Sequence, residues 1–353
     1  LYAHQIRLAS QAAARKAILF RTLAESLAVG IPWLTANISS VNPACSAALS
    51  NFGPGLIGVP ASLQGLICIP NLDPRYDGGY SDEGSEGKWS GIAAATYRFA
   101  ENISAYAQYS RGYKGGGYQL GRSGMNPLSP SLSQNAFGAE TADSYEAGLR
   151  GFSADGVWRA SAALFYTALN EYQFSYFTGL NRRTQNVPEL VSKGFEVEVG
   201  VRPIPSLELT LATAYQETIF GKSGFPAALV NVQGTTAPLA PRWVVVGAAT
   251  FARNLESYGL RLFASVNLRR QSRANVEASA MPSPNFDQNA YAVVGARMGI
   301  SGIDDSWTLE LWGRNIFDNR AWSVLNSTTL QPGSISGNVT DPQLLGLGGT
   351  IRW

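Results

Sequence analysis

Hydrophobic and polar residues alternate one for one along much of this chain. Phe195, Val197, Val199 and Val201 fall on one side of an extended backbone, and Glu196, Glu198, Gly200 and Arg202 fall on the other. Leu207, Leu209 and Leu211 alternate in the same way with Glu208, Thr210 and Ala212. So do Leu260, Leu262, Ala264, Val266 and Leu268 with Arg261, Phe263, Ser265, Asn267 and Arg269. Trp158, Ala160, Ala162, Leu164 and Tyr166 alternate with Arg159, Ser161, Ala163 and Phe165. A period of two puts each set on its own face of a β-sheet. Read along the whole chain, the pattern predicts about eleven strands, centred near Ala93, Ala107, Glu146, Tyr166, Glu196, Ala212, Val246, Ser265, Gly295, Trp312 and Thr350.

The connections between these strands are of two kinds that take turns. Ala100–Asn102, Ser153–Gly156, Pro203–Ser206, Arg253–Tyr258 and Gly302–Ser306 are compact and polar. Lys114–Ala139, Gly221–Leu239, Ser272–Gln288 and Asp318–Leu345 are long and rich in Gly, Ser, Asn and Pro, with Thr178–Arg182 a short member of that class. Alternating short turns and long loops is the connectivity of an antiparallel membrane barrel. Several runs also exceed the roughly 5–6 residues usual for a soluble strand. Glu196 and Glu198 at successive positions of one face cannot enter a dry core unpaired. A water-filled lumen accepts them while the apolar set meets lipid. The fold class predicted is all-β, a portion of an antiparallel transmembrane β-barrel. A soluble all-β binding module or enzyme, such as a lectin-like sandwich with its charged face in water, remains the alternative.

Composition agrees with interleaving. Charged residues make up 15% of the chain, against about 25% in soluble domains, and mean hydropathy is near zero although hydrophobic residues reach 45%. No stretch supplies the roughly 20 apolar residues of a membrane-spanning helix; Ala12 to Leu34 is broken by Arg15, Lys16, Arg21 and Glu25. Net charge of +2, with no basic stripe interleaved with aromatics, gives no reason to expect nucleic acid. Bacterial barrels have even strand numbers, so an odd count predicts that the chain is the later part of something longer. Residues 1–87 read differently: Gln5–Val29 predicts a helix stopped by Gly30 and Pro32, followed by an irregular stretch. The clear strands occupy residues 88–353.

Chemistry-bearing residues are few. His4 is the single imidazole, which leaves no histidine triad or histidine-rich metal site. Asp304-Asp305 reads as a solvated turn, and Gly115-Gly-Gly117 as a flexible exit from a strand rather than a phosphate loop. No catalytic residue, metal site or cofactor is expected. Cys45 and Cys68 fit no metal spacing; in an oxidising compartment they form a disulfide, and otherwise two buried thiols. Ligand candidates are the cations and aromatics near the loop ends of strands: Arg111, Tyr113, Lys114, Tyr118, Arg122, Arg182, Arg183, Arg269, Arg270, Arg273 and Trp322. Arginine forks suit carboxylate or phosphate groups of an anionic small molecule. The same cations could instead bind anionic lipid headgroups of the outer membrane or pair with lumenal Glu.

Six stretches carry a family resemblance. They are Tyr106-Ala-Gln-Tyr-Ser-Arg-Gly-Tyr-Lys-Gly-Gly-Gly-Tyr118, Glu140-Thr-Ala-Asp-Ser-Tyr-Glu-Ala-Gly-Leu-Arg150, Lys193-Gly-Phe-Glu-Val-Glu198, Leu239-Ala-Pro-Arg-Trp243, Gly313-Arg-Asn-Ile-Phe-Asp-Asn-Arg320 and Gly348-Gly-Thr-Ile-Arg-Trp353. In this order they resemble the C-terminal half of TonB-dependent outer-membrane receptors, especially a sphingomonad-like proteobacterial group. The resemblance implies about 11 strands of a 22-stranded barrel in the Gram-negative outer membrane. It implies active uptake of a siderophore-like or other bulky nutrient, powered by the TonB-ExbB-ExbD complex through an upstream plug that has no counterpart here. Residues 1–87 would then be an extracellular loop region, with Cys45 and Cys68 as its staple. Trp353, with Ile351 and Leu347 on the same face, resembles the terminal signal read by the barrel-assembly machinery. A passive porin-type channel without a plug is the competing transport reading.

Overall fold

The computed structural model describes residues 79–121, 125, 129–177, 182–277, 284–327 and 334–352. The helix expected over Gln5–Val29, His4, Cys45, Cys68, Arg122 and Trp353 lie outside them. The chain forms one 11-stranded antiparallel sheet in which each strand pairs with the next. Its strands are β1 (Gly91–Ala100), β2 (Ile103–Lys114), β3 (Glu140–Phe152), β4 (Trp158–Phe177), β5 (Arg182–Ile204), β6 (Leu207–Phe220), β7 (Trp243–Leu255), β8 (Leu260–Gln271), β9 (Tyr291–Gly302), β10 (Trp307–Arg314) and β11 (Leu344–Ile351). All five compact connections close hairpins at one end of the sheet, the turn end, and the long ones open at the other, the loop end.

The two faces separate by parity. Ladder partners such as Ala163 and Glu196, or Glu310 and Gly348, carry the polar set from strand to strand. A single hollow touches Tyr106 on β2, Glu146 and Arg150 on β3, Glu196 and Glu198 on β5, and Val246 on β7. One hollow reaches so many neighbours only if that face curves inward, so the polar face is the concave one. The convex face carries Leu164, Leu211, Met298, Leu309 and Leu311, all largely exposed. It also carries two rows of rings, Tyr109 to Tyr145 to Tyr166 and Phe195 to Tyr215 to Trp243, whose centroids lie 4.9–6.5 Å apart. Leu347 and Ile351 project from the same convex face.

A span needs about 9–11 tilted residues, and β4 and β5, with 20 and 23, run well beyond it. The hairpin changes character at Glu171, whose φ of 52° interrupts the ladder opposite Pro188, a residue without an N–H to donate. The Asn186 amide donates to Glu171 O at 2.6 Å and to Gly138 O at 3.0 Å, replacing the missing backbone partners. Above this kink, Phe174, Tyr176 and Val187 turn into a small core with Leu190, Phe220, Leu229 and Val232.

Close packing between strands depends on Gly194. A Cβ there would stand 1.9 Å from the Tyr215 carbonyl oxygen, so any side chain forces β5 and β6 apart. A Cβ at Gly247, by contrast, meets only ordinary contacts beyond 3.7 Å. Gly194→Ala should therefore cost about 3 kcal/mol of stability and lower the denaturant midpoint accordingly, while Gly247→Ala stays close to the parent. Heat-modifiable mobility on gels and guanidinium unfolding of the two variants check the contrast.

Candidate functional site: the lumen wall and the loop layer

The concave face has three charged zones. At the turn end Glu208 accepts from Arg159 at 3.1 Å and from Arg202 at 3.0 and 3.2 Å, a closed trio. Across β2 to β6, Tyr106 donates to Glu146 at 2.5 Å while the Arg150 guanidinium lies 4.5 Å over the Tyr106 ring. Glu196 and Glu198 extend this patch and form no ion pair among the described residues. Across β7 to β11 the wall is lined instead by Arg261, Arg269, Arg297 and Arg314.

Over the loop end lies an ordered layer. The ribbon Gly117–Tyr118 pairs with Ala136–Phe137, and the buried Asn135 side chain donates to Gln119 O and Gly121 O. Buried Gln173 ties the layer to the β4–β5 hairpin, its side-chain amide donating to Gly115 O at 2.8 Å and Gly138 O at 3.0 Å. The approach to β1 joins the layer too: Glu86 accepts from the Gly116 N–H, and the Tyr118 hydroxyl lies under Gly84. Loss of solvent contact, then nearby Asp82, holds the Tyr118 phenol above its ordinary pKa. Burial raises Tyr172 and Tyr176 as well, with Glu140 adding to Tyr172. On the other flank Asn315, in the left-handed region, donates to Asn319 O and Asp341 O and accepts from the Asn319 N–H, holding the exit of β10 against the start of β11. Asp318 is held below the usual carboxylate range by Arg320, then by the Gln343 N–H.

The ligand candidates named from the sequence scatter over both faces. Arg111 has the parity of Tyr109, so it points to the convex side, where Asp143 accepts from it at 3.1 and 3.3 Å and the Trp89 ring lies 4.8 Å away. Its guanidinium is therefore turned away from the lumen and engaged. Arg270 is also convex, and exposed. Tyr113 and Lys114 end β2 at the rim, Tyr118 lies in the loop ribbon, and Arg182 and Arg183 sit at the tip of the long hairpin. Arg273 is paired with Asp287, and Trp322, whose N–H donates to Gln288 at 2.8 Å, opens an exposed loop ribbon, Trp322–Ser327 with Ile335–Val339. Among the described residues Lys114 has the concave parity at the rim, and Arg269 lines the concave wall itself, beside Arg297 and Arg314, which the sequence reading missed. Parity was the signal that would have found Arg297, since it alternates with Ala296 and Met298 in β9.

An antiparallel sheet with a polar concave face, an apolar convex face girdled by aromatic rings, short turns at one end and a packed loop layer at the other is the wall of a transmembrane β-barrel. Residues 71–316 match the model of the family "TonB dependent receptor-like, beta-barrel", and the chain belongs to that family, one of transport receptors. Among curated proteins it is similar to the ferric-pyoverdine M114 receptor PbuA of Pseudomonas sp. (strain M114), 25% identical over 255 residues. That match covers 68% of this chain and 27% of the relative, so the chain spans about a quarter of that receptor's length. Among solved structures it resembles the ferric yersiniabactin uptake receptor FyuA from Yersinia pestis, with a TM-score of 0.60, 19% identity, and coverage of 74% of this chain and 37% of the other. The ferripyoverdine receptor of the outer membrane of Pseudomonas aeruginosa gives 0.54, 16%, 75% and 33%. These likenesses establish the all-β barrel fold.

The loop layer depends on its own core, whose centre is the fully buried Phe174. Truncating a buried Phe costs about 3–5 kcal/mol, more than such a small cluster can spare. Phe174→Ala should leave the barrel folded and make the loop-end part of the β4–β5 hairpin and the loop Gly221–Ala237 sensitive to protease added to intact cells. Cleavage mapping by mass spectrometry checks this, and protection equal to the parent would show the layer to be held by other contacts.

Proposed function

We propose that this chain is the C-terminal barrel wall of an outer-membrane receptor that actively takes up a siderophore-like or similarly bulky nutrient. Capture occurs on the loop layer and upper lumen, and energy arrives from the TonB complex through a plug domain seated inside the barrel. The observation that carries the reading is the concave face, a wall too polar for a dry core and too large for a narrow pore. The relatives, named for ferric-siderophore uptake, supply the ligand class. Glu196 and Glu198 fit this scheme as carboxylates awaiting cations that a plug would bring. Outer-membrane lipid meets the convex rings, and the barrel-assembly machinery would read Leu347, Ile351 and Trp353.

The test is uptake of radiolabelled iron chelates under iron starvation by strains with and without the intact gene, each with and without TonB. Loss of uptake in both single mutants is expected; uptake that persists without TonB would favour the passive channel. In the full-length receptor, Glu196→Gln combined with Glu198→Gln should loosen the plug and sensitise cells to vancomycin several-fold. Unchanged sensitivity, with normal amounts in the membrane, would remove these two residues from plug docking.

A further inference from the structure

The long connections are joined to one another in the order of the strands they link. The Gln119 side chain donates to Thr184 O at 2.9 Å, tying the β2–β3 loop to the β4–β5 hairpin. The Gly221 N–H donates to Glu189 O at 3.0 Å, the Leu239 N–H to Asn275 O at 2.7 Å and the Leu325 N–H to Val276 O at 2.8 Å. These three bonds carry the series through the β6–β7 and β8–β9 loops to the ribbon of Trp322–Ser327 with Ile335–Val339. Beyond the bilayer the loops thus form a second course of hydrogen bonds that follows the wall.

That ribbon continues the β10–β11 hairpin. Asn315 to Ala321 and Thr340 to Gln343 interrupt the two strands, and side chains bridge the interruption. Asn315 donates to Asp341 O at 2.8 Å and Gln343 to Ile316 O at 2.7 Å, and the Thr340 N–H resumes the ladder on Ala321 O at 2.8 Å. Trp322–Ser327 is bonded on both sides, to the β8–β9 loop at Val276 and to Ile335–Val339. Ile335–Val339 leads into β11, and its outer edge meets no strand among the described residues. All five of its residues are exposed. The edge carries no charge and no proline, the usual guards against strand addition. Ile335 and Val339, 45% and 52% exposed, share the face of Leu325, whose core with Val276 and Phe286 stops at this flank.

We propose that this edge receives a further strand, the loop-end exit of the strand that pairs with β11 in the closed barrel. The open edge of β11 needs a neighbour within the bilayer, and an antiparallel neighbour runs toward the loop end. Carried past the bilayer, it arrives beside Ile335–Val339, which runs the opposite way on its approach to β11. Main-chain bonds hold such an added strand, and its alternate side chains select it. The docking segment is therefore extended, uncharged, and apolar where it faces Ile335 and Val339, so that it lengthens the core of Leu325. The course of loop-to-loop bonds then continues past β11 instead of ending there. The docked strand presupposes the barrel reading of this wall, whatever the barrel carries.

The test is hydrogen exchange on the purified full-length receptor in detergent, read on the peptide that spans Ile335–Val339. In an open edge strand alternate amides point outward and exchange freely; with a docked strand all of them are bonded. Exchange of the outward amides slowed about tenfold or more is expected. Ile335→Lys combined with Val339→Lys, which an open edge tolerates at half-exposed positions, should restore fast exchange by setting two ammonium groups against the docked strand. A benzophenone-bearing phenylalanine in place of Asn338 identifies the occupant by light-induced cross-linking and mass spectrometry, and does so even where the lysine variant folds poorly. A cross-link to the loop-end exit of the strand beside β11 supports the proposal. Freely exchanging outward amides in the parent, or lysine variants as slow as the parent, overturn it. So does a cross-link to residues 1–78, to a second copy of the receptor, or to no peptide at all. A receptor that gives the expected cross-link but imports nothing would sink the uptake reading and leave the docked strand standing.

Discussion

The hydrogen-bonding demand of backbone amides in hydrocarbon governs this molecule. With no water to satisfy an exposed N–H or C=O, every strand within the bilayer needs a neighbour on each side. Antiparallel hairpins meet that demand with the fewest residues, hence the unbroken order β1 to β11. The demand also reaches the edges. Because the sheet of the described residues has eleven strands, β1 and β11 run in the same direction, and pairing them directly would make a parallel seam. An antiparallel closure needs an odd number of further strands between them, the first at each edge running toward the loop end. The share of FyuA that this sheet matches, 37%, leaves room for them.

Once the ladder is fixed, side-chain chemistry follows from parity. Successive residues face lipid and lumen, so a residue's place along a strand sets its depth and its parity sets its medium. The convex rings of Tyr109, Tyr145 and Tyr166 lie directly opposite one another across three strands. That cross-strand stacking needs no connecting loop. Past the bilayer the ladder is released from this constraint. There Glu171 takes up a positive φ, Pro188 enters β5, and the side chains of Asn186, Gln173 and Asn135 take over the work of backbone bonds.

This division explains what could be read from the sequence. Strand number, the five compact turns and the polar face were legible because a period of two and turn chemistry are local. The core of Phe174, Phe220 and Leu229 was not, since it joins residues far apart in the chain through loops with no periodicity. Arg111 shows what parity adds to position. Its position near the loop end suggested a ligand contact, yet its parity with Tyr109 puts it outside, against Asp143. Arg297 shows the converse, a cation whose parity placed it on the lumen wall although no motif marks it. The placement of the first 78 residues, with both cysteines, lies outside the described part.

The ion pairs of the lumen show how a wet wall can be both stable and receptive. At the turn end the Arg159, Glu208 and Arg202 contacts are all within 3.2 Å, a packed trio that closes the space between three strands. On the β8 to β11 wall the pairs loosen to 3.9–4.0 Å, Arg261 with Asp305 at the turn end and Arg297 with Glu310 further along the strands. A solvent-exposed pair contributes about 0–1 kcal/mol at best, so loose pairs sacrifice little stability. What they keep is hydration and room to move, since the side chains of Arg261 and Arg297 remain 45% and 59% exposed. A wall of short, saturated pairs would be no weaker as a scaffold, but each broken pair in it would cost more.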